Sequence, residues 1–157
     1  MRSIRVQAET IDTGQETAAL HGARTDIGAL VTFMGYCRDE AGTLAALELE
    51  HFPGMAEAEI ERIAVEAEKR WPLLGLTIIH RFGRIRPGEP IVLVATASPH
   101  RAAAFAAAEF LMDFMKTDAP FWKREDRIGM STDPQAADAW VEAKDADNSA
   151  KARWRDS

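Results

Sequence analysis

Basic side chains stand at the ends of the predicted helices and strands, where a rigid scaffold presents functional groups. They are Arg38, His100, Arg101, Lys116, Lys123 and Arg124. Lys116 and Lys123 flank Pro120, so a turn at that proline could bring the two ammonium groups near each other. Ammonium groups held close together disfavour each other's charged form, which suits a nucleophile or a proton-transfer group. The alternative is two exposed lysines with no shared role.

A second candidate is an anion site at the start of a predicted helix. The run Ser98-Pro99-His100-Arg101 is typical of a helix start, with Ser98 as the N-cap and Pro99 in the first turn. Arg101 is unusual there, because the helix dipole disfavours a cation in the first turn by about 0.3–1 kcal/mol. A phosphate bound by the free N–H groups would explain the basic pair. The alternative is that Arg101 points into solvent.

Other residues that could do chemistry have simpler explanations. Cys37 could be a nucleophile, but its place in an apolar strand favours a small buried residue. His80 alternates with apolar residues along a strand, which is more typical of a core histidine than of a ligand. Phe121 and Trp122 are expected in the core rather than in a stacking platform. We expect no metal site, because no Cys/His pair has metal-ligand spacing, and the sequence has no P-loop or dinucleotide-binding motif.

The elements that position these residues follow from the pattern of apolar residues. Strands are predicted at 4–6, 27–37, 44–52, 76–82 and 91–97, with a further extended segment at 121–125. Helices are predicted at 13–21, at 55–71 with Met55 on its apolar face, and from Ser98 to about Lys116. The last helix is expected to place Phe105, Met112 and Met115 on its apolar face. Hairpin-like and crossover links alternate, which predicts an α+β fold of two layers with helices packed on a mixed or mostly antiparallel sheet.

Length and composition limit the classes of function. With 157 residues, we expect one domain over 1–143 and a charged C-terminal tail over 144–157, helical or partly disordered. One cysteine excludes an internal disulfide, and a net charge of −6 argues against a broad nucleic-acid surface. No apolar run approaches the roughly 20 residues of a membrane span, and no signal-peptide core is present. We therefore expect a cytoplasmic location.

Several segments resemble the large, catalytic subunit of molybdopterin synthase. They are Val31-Thr32-Phe33-Met34-Gly35 with Arg38, residues 49–55, His80-Arg81-Phe82-Gly83, residues 98–101, residues 112–117, residues 119–125 and Trp140-Val141-Glu142-Ala143. The resemblance runs in order from about Gly28 to Ala143 and therefore covers most of the chain. Its most specific part is the block from Lys116 to Glu125.

The resemblance implies an α/β-hammerhead-type fold and a sulfurtransferase activity. That family converts cyclic pyranopterin monophosphate into molybdopterin by inserting two sulfurs as a dithiolene. The sulfur arrives as a thiocarboxylate on the C-terminal glycine of a small ubiquitin-like partner, whose tail enters a pocket of the large subunit. No other cofactor is implied. Two large subunits form a homodimer, and one small subunit at each end completes a heterotetramer.

The resemblance also implies roles for individual residues of this sequence. Arg38, His100 and Arg101 would hold the phosphate and the pterin. Lys116 and Lys123 would be the catalytic pair, because they would line the place where the thiocarboxylate meets the substrate. Along one helix, His100 and Lys116 would lie roughly 24 Å apart, which is too far for one small substrate to touch both. We therefore expect a site shared between two copies of the chain.

Further residues would complete the wall of this pocket. Arg124 and Glu125 would stand beside the lysines, and the backbone at Tyr36 and Cys37 would line the pocket next to Arg38. Tyr36-Cys37 replaces a basic or small residue followed by valine in many relatives. Lys144 stands where some relatives place an arginine that serves the neighbouring subunit's site. Lysine keeps the charge but loses the two-pronged guanidinium geometry.

Two other classes of function stay open. One is a family member that keeps the fold and the partner but has lost catalysis, and the intact Lys116 and Lys123 argue against it. The other is a nucleotide- or nucleic-acid-binding module that uses the same basic ends as a small anion site. The acidic balance and the lack of exposed aromatic and basic repeats argue against that class.

Overall fold

A computed structural model gives the structure of the chain and describes residues 1–129 and 145–155. The elements, in chain order, are β1 (Arg2–Gln7), α1 (Thr13–His21), β2 (Ala29–Tyr36), β3 (Leu44–His51), α2 (Met55–Arg70), β4 (Gly75–Arg81), β5 (Gly83–Ile85), β6 (Pro90–Ser98), α3 (Arg101–Met115), β7 (Phe121–Arg127) and α4 (Asp145–Ala152). One sheet has the order β1-β4-β6-β2, and a second has the order β5-β3-β7. Strands β1 and β4 are parallel, whereas the other pairs are antiparallel. The predicted α+β fold with mixed sheets is confirmed.

Helices α2 and α3 pack on one face of the four-stranded sheet and form the main core with it. The buried residues of this core are Ile60, Ile63, Ala64, Ala67, Leu76, Ile78, Val92, Val94, Ala108, Phe110, Leu111 and Met115. The alternate residues of the same strands face helix α1, where Leu20 packs with Ile79 and Leu93. This alternation is the period-2 pattern of a strand that is buried on both faces.

Alanines allow α3 to lie close to the sheet. Ala104, Ala107 and Ala108 are buried, and the Thr96 hydroxyl on β6 donates a hydrogen bond of 2.7 Å to the Ala104 carbonyl. A satisfied hydroxyl at this interface ties the helix to the strand beneath it without leaving an unpaired polar group. The close contact fixes the direction of α3, and with it the positions of the helix ends that carry the predicted site residues.

The second sheet has its own small core and is joined to the first through aromatic rings. Its buried residues are Cys37, Leu44, Leu47, Leu49 and Ile85. The His80 ring of β4 stacks on the Phe121 ring of β7, with 3.7 Å between the ring centroids. The predicted core position of His80 is therefore confirmed, and the short strand β5 was not predicted.

The start of α3 differs from the prediction. Ser98 is not an N-cap but the last residue of β6, where it pairs with Ala29 of β2 and is fully buried. Its hydroxyl donates to the Pro72 carbonyl at 3.1 Å, and His100 takes the N-cap position instead. The pairing of β6 with β2 continues through this residue, so tertiary hydrogen bonds override the local capping signal.

Two predicted core residues are exposed. Phe105 on α3 is 62% exposed and Met55 at the start of α2 is 55% exposed, so both predictions are wrong. The buried residues of α3 are Ala104, Ala107, Ala108, Phe110, Leu111 and Met115, so the predicted position of Met115 is confirmed. Alanines do not define the limits of an apolar face sharply, and contact with the sheet decides which of the larger residues lie inside it. Within residues 1–129 and 145–155, no helix is long and apolar enough to cross a bilayer.

Candidate active site

The segment after β2 presents Arg38 to solvent and buries Cys37. The β2–β6 register shifts between Gly35 and Tyr36, which marks a bulge in the pairing of the two strands. A Cβ on Gly35 would lie 2.7 Å from Val92 Cγ1, so the close approach of the two strands requires glycine. Beyond the bulge Tyr36 and Arg38 are exposed, whereas Cys37 is 2% exposed. Arg38 is therefore available to a ligand.

Cys37 is a packing residue, and its thiol interacts electrostatically with Lys123. Burial raises the pKa of the Cys37 thiol, and the positive charge of Lys123 acts in the opposite direction. A buried thiol with a raised pKa is a poor nucleophile, which agrees with the predicted structural role. The charge of Lys123 therefore lies close to the segment that carries Arg38.

Lys123 lies on the inner face of β7. It is half-buried and stands opposite Leu49 of β3, a residue of the small core around Cys37. Glu125 shares this face two residues further on, where its carboxylate accepts hydrogen bonds of 2.6 and 3.1 Å from Arg127. An ammonium group in this half-buried position is less screened than one in bulk water, so its charge acts more strongly on an anion nearby.

The strand period places the neighbours of Lys123 on the outer face. Arg124 stands opposite Glu48, and Trp122 stands opposite Glu50. Trp122 is 37% exposed and meets the Phe52 ring edge-on at 5.3 Å, so the predicted core position of Trp122 is wrong. The reason is the alternation of β7, because a strand that turns Lys123 inward must turn its neighbours outward.

Lys116 stands at the C-terminal end of α3. Its backbone N–H donates to the Met112 carbonyl at 3.1 Å, and its ammonium group lies 3.6 Å from the Asp147 carboxylate of α4. The C-terminal end of a helix dipole also favours a cation. Lys116 is exposed and reaches β7 only through the short connection that contains Pro120.

Helix α4 packs at this end of α3, which was not predicted from the sequence. Trp154 Nε1 donates to Asp113 of α3 at 2.6 Å, and Lys151 forms an ion pair with Asp118. These contacts bring the Asp147 carboxylate to Lys116. The only sequence signal was a mixed-charge, alanine-rich composition, which does not reveal which helix α4 packs against.

His100 and Arg101 lie at the opposite end of α3. His100 is the N-cap residue, its side chain makes no capping hydrogen bond, and the first turn contains no acidic residue. Both side chains are exposed. Free N–H groups next to two basic side chains can bind an anionic group such as a phosphate.

The structure therefore divides the predicted residues of one chain into two groups. Tyr36 ends β2 and leads into Cys37, which packs in the small core of the second sheet and is followed by Arg38. Lys123, Arg124 and Glu125 lie on β7 of that sheet, and Lys116 precedes β7 by one short connection. His100 and Arg101 are separated from Lys116 by the whole length of α3. Lys144 and the segment Trp140–Ala143 lie outside the described residues. Among the described residues, no cluster of His, Cys, Asp or Glu could hold a metal ion.

Comparison with known proteins gives one consistent result. A family model described as "MoaE protein" matches residues 6–118. A molybdopterin synthase catalytic subunit from Mesorhizobium japonicum is 59% identical over 155 residues, which cover 99% of this chain and 94% of the relative. One from Rhizobium meliloti is 62% identical over 152 residues, which cover 97% of this chain and 95% of the relative.

Solved structures agree. The molybdopterin biosynthesis MoaE protein from Burkholderia ambifaria superposes with a TM-score of 0.83 at 47% identity, and the match covers 98% of each chain. Molybdopterin synthase from Staphylococcus aureus has a TM-score of 0.73 at 31% identity, and the match covers 80% of this chain and 91% of that chain.

Proposed function

The chain belongs to the MoaE family of molybdopterin synthase catalytic subunits, and from this premise we propose how its residues perform the sulfur transfer. The reaction converts cyclic pyranopterin monophosphate into the dithiolene of molybdopterin. Two sulfurs come from the C-terminal thiocarboxylate of a small ubiquitin-like carrier, so the catalytic subunit needs no cofactor of its own. We place the reaction in the cytoplasm.

Both reactants are anions, whereas the chain carries a net charge of −6. The protein as a whole therefore repels these anions, and a local pocket of basic residues is needed to attract them. The observation that supports the pocket best is the half-buried position of Lys123, whose charge reaches the segment of Cys37 and Arg38. Lys123 and Lys116 act there on the thiocarboxylate and on the negative charge that develops during transfer.

The remaining residues bind the substrate. His100 and Arg101 bind the phosphate at the start of α3, and Arg38 binds the pterin beside the backbone of Tyr36 and Cys37. Arg124 and Glu125 complete the wall next to Lys123. Glu125 acts through its hydrogen bonds to Arg127, which keep its carboxylate in one place. Lys144 serves the site of the neighbouring subunit.

A homodimer is required by this assignment of residues. The two ends of α3 are roughly 24 Å apart, and a pterin monophosphate is much shorter. His100 and Arg101 of one chain therefore meet Lys116 and Lys123 of its partner, which gives two equivalent pockets per dimer. Each pocket receives the tail of one small subunit, so the complete assembly is a heterotetramer.

The direct test is turnover with a thiocarboxylated small subunit and cyclic pyranopterin monophosphate. We expect formation of the dithiolene product, with two carrier thiocarboxylates consumed for each product. A small subunit that ends in an ordinary carboxylate is the matched control, because it can bind but cannot donate sulfur. A complex that forms with the carrier and gives no product would identify the chain as a family member that has lost catalysis.

A further inference from the structure

Arg81 is the only charged side chain that is buried in the part of the chain that the structure describes. It ends β4 and is 7% exposed. Burying a charge is costly unless it is paired and hydrogen-bonded. Its Nε donates to the Ala8 carbonyl at 3.1 Å, and its Nη1 donates to the Pro90 carbonyl at 2.9 Å and approaches the Glu89 carboxylate at 3.4 Å. One guanidinium thus joins the end of β1, the start of β6 and the turn between β5 and β6.

Glu89 links Arg81 to the turn formed by residues 86–89. Its carboxylate accepts a hydrogen bond from the Arg86 backbone N–H at 3.2 Å, and its own backbone N–H donates to the Arg86 carbonyl at 3.0 Å. Gly88 has a φ of 87°, a conformation that favours glycine. The turn is therefore closed by its backbone and by a side chain that Arg81 holds in place.

The 86–89 turn in turn fixes the segment after the β2 bulge. The Cys37 N–H donates to the Glu89 carbonyl at 2.9 Å, and the Gly88 N–H donates to the Cys37 carbonyl at 2.8 Å. Both backbone groups of Cys37 are thereby held by the turn. Cys37 lies between Tyr36 and Arg38, so the direction in which these two side chains leave the backbone depends on the turn.

We propose that Arg81 and Glu89 are positioning residues for Arg38. Arg38 is an exposed, flexible side chain whose partner among the described contacts is the equally exposed Glu40. Its side chain is therefore not fixed by packing, and the backbone at Cys37 determines where its guanidinium can reach. A displacement of about 1 Å in such a segment is enough to weaken a charge-assisted contact with a substrate. This inference rests on the proposed role of Arg38 in substrate binding.

The test uses Glu89, because its side chain is partly exposed and its removal leaves the buried core intact. Glu89→Ala removes both side-chain contacts, whereas Glu89→Gln keeps an oxygen for the Arg86 N–H and loses only the charge that faces Arg81. We expect Glu89→Ala to raise the KM for cyclic pyranopterin monophosphate by about 10-fold, with kcat changed less than about 2-fold. Glu89→Gln should give a smaller rise, because part of the turn is retained.

Arg81→Lys is the second variant. Lysine keeps the charge but has one donor group in place of the guanidinium fork, so it cannot reach all three partners of Arg81. We expect an increase in KM similar to that of Glu89→Ala. If Arg81→Lys does not fold, the two Glu89 variants still decide the question.

Two further variants separate positioning from general destabilisation. Arg24→Ala is the matched control, because Arg24 also joins a carboxylate, Asp26, to a backbone carbonyl, that of Leu74, and touches no predicted site residue. It should leave KM unchanged. In an Arg38→Ala background, Glu89→Ala should cause no further rise in KM, because the residue that it positions is absent.

The possible failures are distinguishable. A normal KM in Arg38→Ala would overturn the binding role of Arg38, which belongs to the proposed function. A raised KM in Arg38→Ala together with a normal KM in Glu89→Ala would overturn the positioning role alone. The positioning role would also be overturned if Glu89→Ala raised KM equally in the wild type and in the Arg38→Ala background. The turn would then affect substrate binding without acting through Arg38.

Discussion

His100 and Lys116 cap opposite ends of one unbroken helix, α3 (Arg101–Met115). No glycine or proline interrupts the helix, so nothing in it bends the chain back toward its own start. The helix is roughly 24 Å long between these residues. If His100 and Lys116 act on one small substrate, as we propose, they have to come from two copies of the chain.

Complementation tests the shared site. An Arg101→Ala chain and a Lys116→Ala chain, mixed under conditions that allow subunit exchange, should recover activity. Each mixed dimer has one pocket with both changes and one pocket with neither, so a random mixture should reach about one quarter of the wild-type rate.

The matched control for this mixture pairs Arg101→Ala with a chain that carries both changes. No pocket in that mixture is intact, and it should stay inactive. If the first mixture also stays inactive despite confirmed exchange, the site lies within one chain.

The lysines are expected to be catalytic rather than structural. Lys116→Ala or Lys123→Ala should reduce product formation by at least about 10²-fold, which is the usual effect of removing a group that transfers a proton or stabilises charge. Lys116 is exposed at the end of α3 and Lys123 is only half-buried, so the thermal unfolding temperature should change little. Lys69→Ala is the control, because Lys69 is an exposed lysine of α2 with a carboxylate nearby. Normal turnover of either variant with saturating small subunit would refute the role of that lysine.

Arg101 is expected to act in substrate binding. Arg101→Ala should weaken the binding of cyclic pyranopterin monophosphate by about 10-fold or more, because a charge-assisted hydrogen bond to phosphate is lost. Binding of the small subunit should be unchanged. Calorimetric titration with each ligand in turn measures both quantities, and Arg62→Ala on α2 serves as a control for a change in surface charge. An unchanged affinity for the substrate would mean that Arg101 only points into solvent.

His80 should make the protein sensitive to acid. Burial lowers the pKa of His80 from 6.5 to about 4, and the neighbouring His51 acts in the same direction, against the hydrogen bond to the Arg81 carbonyl. The folded state therefore keeps this ring neutral, whereas the unfolded chain takes up a proton near pH 6.5. Between pH 6.5 and about 4, the free energy of unfolding should fall by up to about 1.4 kcal/mol per pH unit on account of this group.

The measurement compares the wild type with His80→Phe, which keeps an aromatic ring against Phe121. Denaturant unfolding from pH 7.5 to 4 should show the wild type losing stability relative to the variant only below about pH 6.5. His21→Gln changes an exposed histidine at the end of α1 and should follow the wild type. Parallel curves for the wild type and His80→Phe would show that His80 contributes nothing to the acid sensitivity.

Local patterns in the sequence were sufficient to predict most of the elements. Continuous apolar runs predicted β2 and β6, and alternation of apolar with other residues predicted β3 and β4, each to within about two residues. The burial of Cys37 was predicted from its place in such an apolar strand. The family followed from the order of its motifs along the chain.

The details of the site depended on contacts between residues that are distant in the sequence. Ser98 became a strand residue because it pairs with Ala29 of β2, and Trp122 became exposed because Lys123 faces inward. The pairing of Lys116 with Asp147 needs α4 to pack on α3, and the contact of Arg81 with Glu89 needs three strands to converge. Short-range periodicity determines which residues can share a face, whereas only the packed structure determines which face meets which partner. For that reason the sequence by itself determined that the basic residues stand at the two ends of one helix, and the tertiary structure decided what they face, since Lys123 stands opposite Leu49 and Lys116 pairs with Asp147.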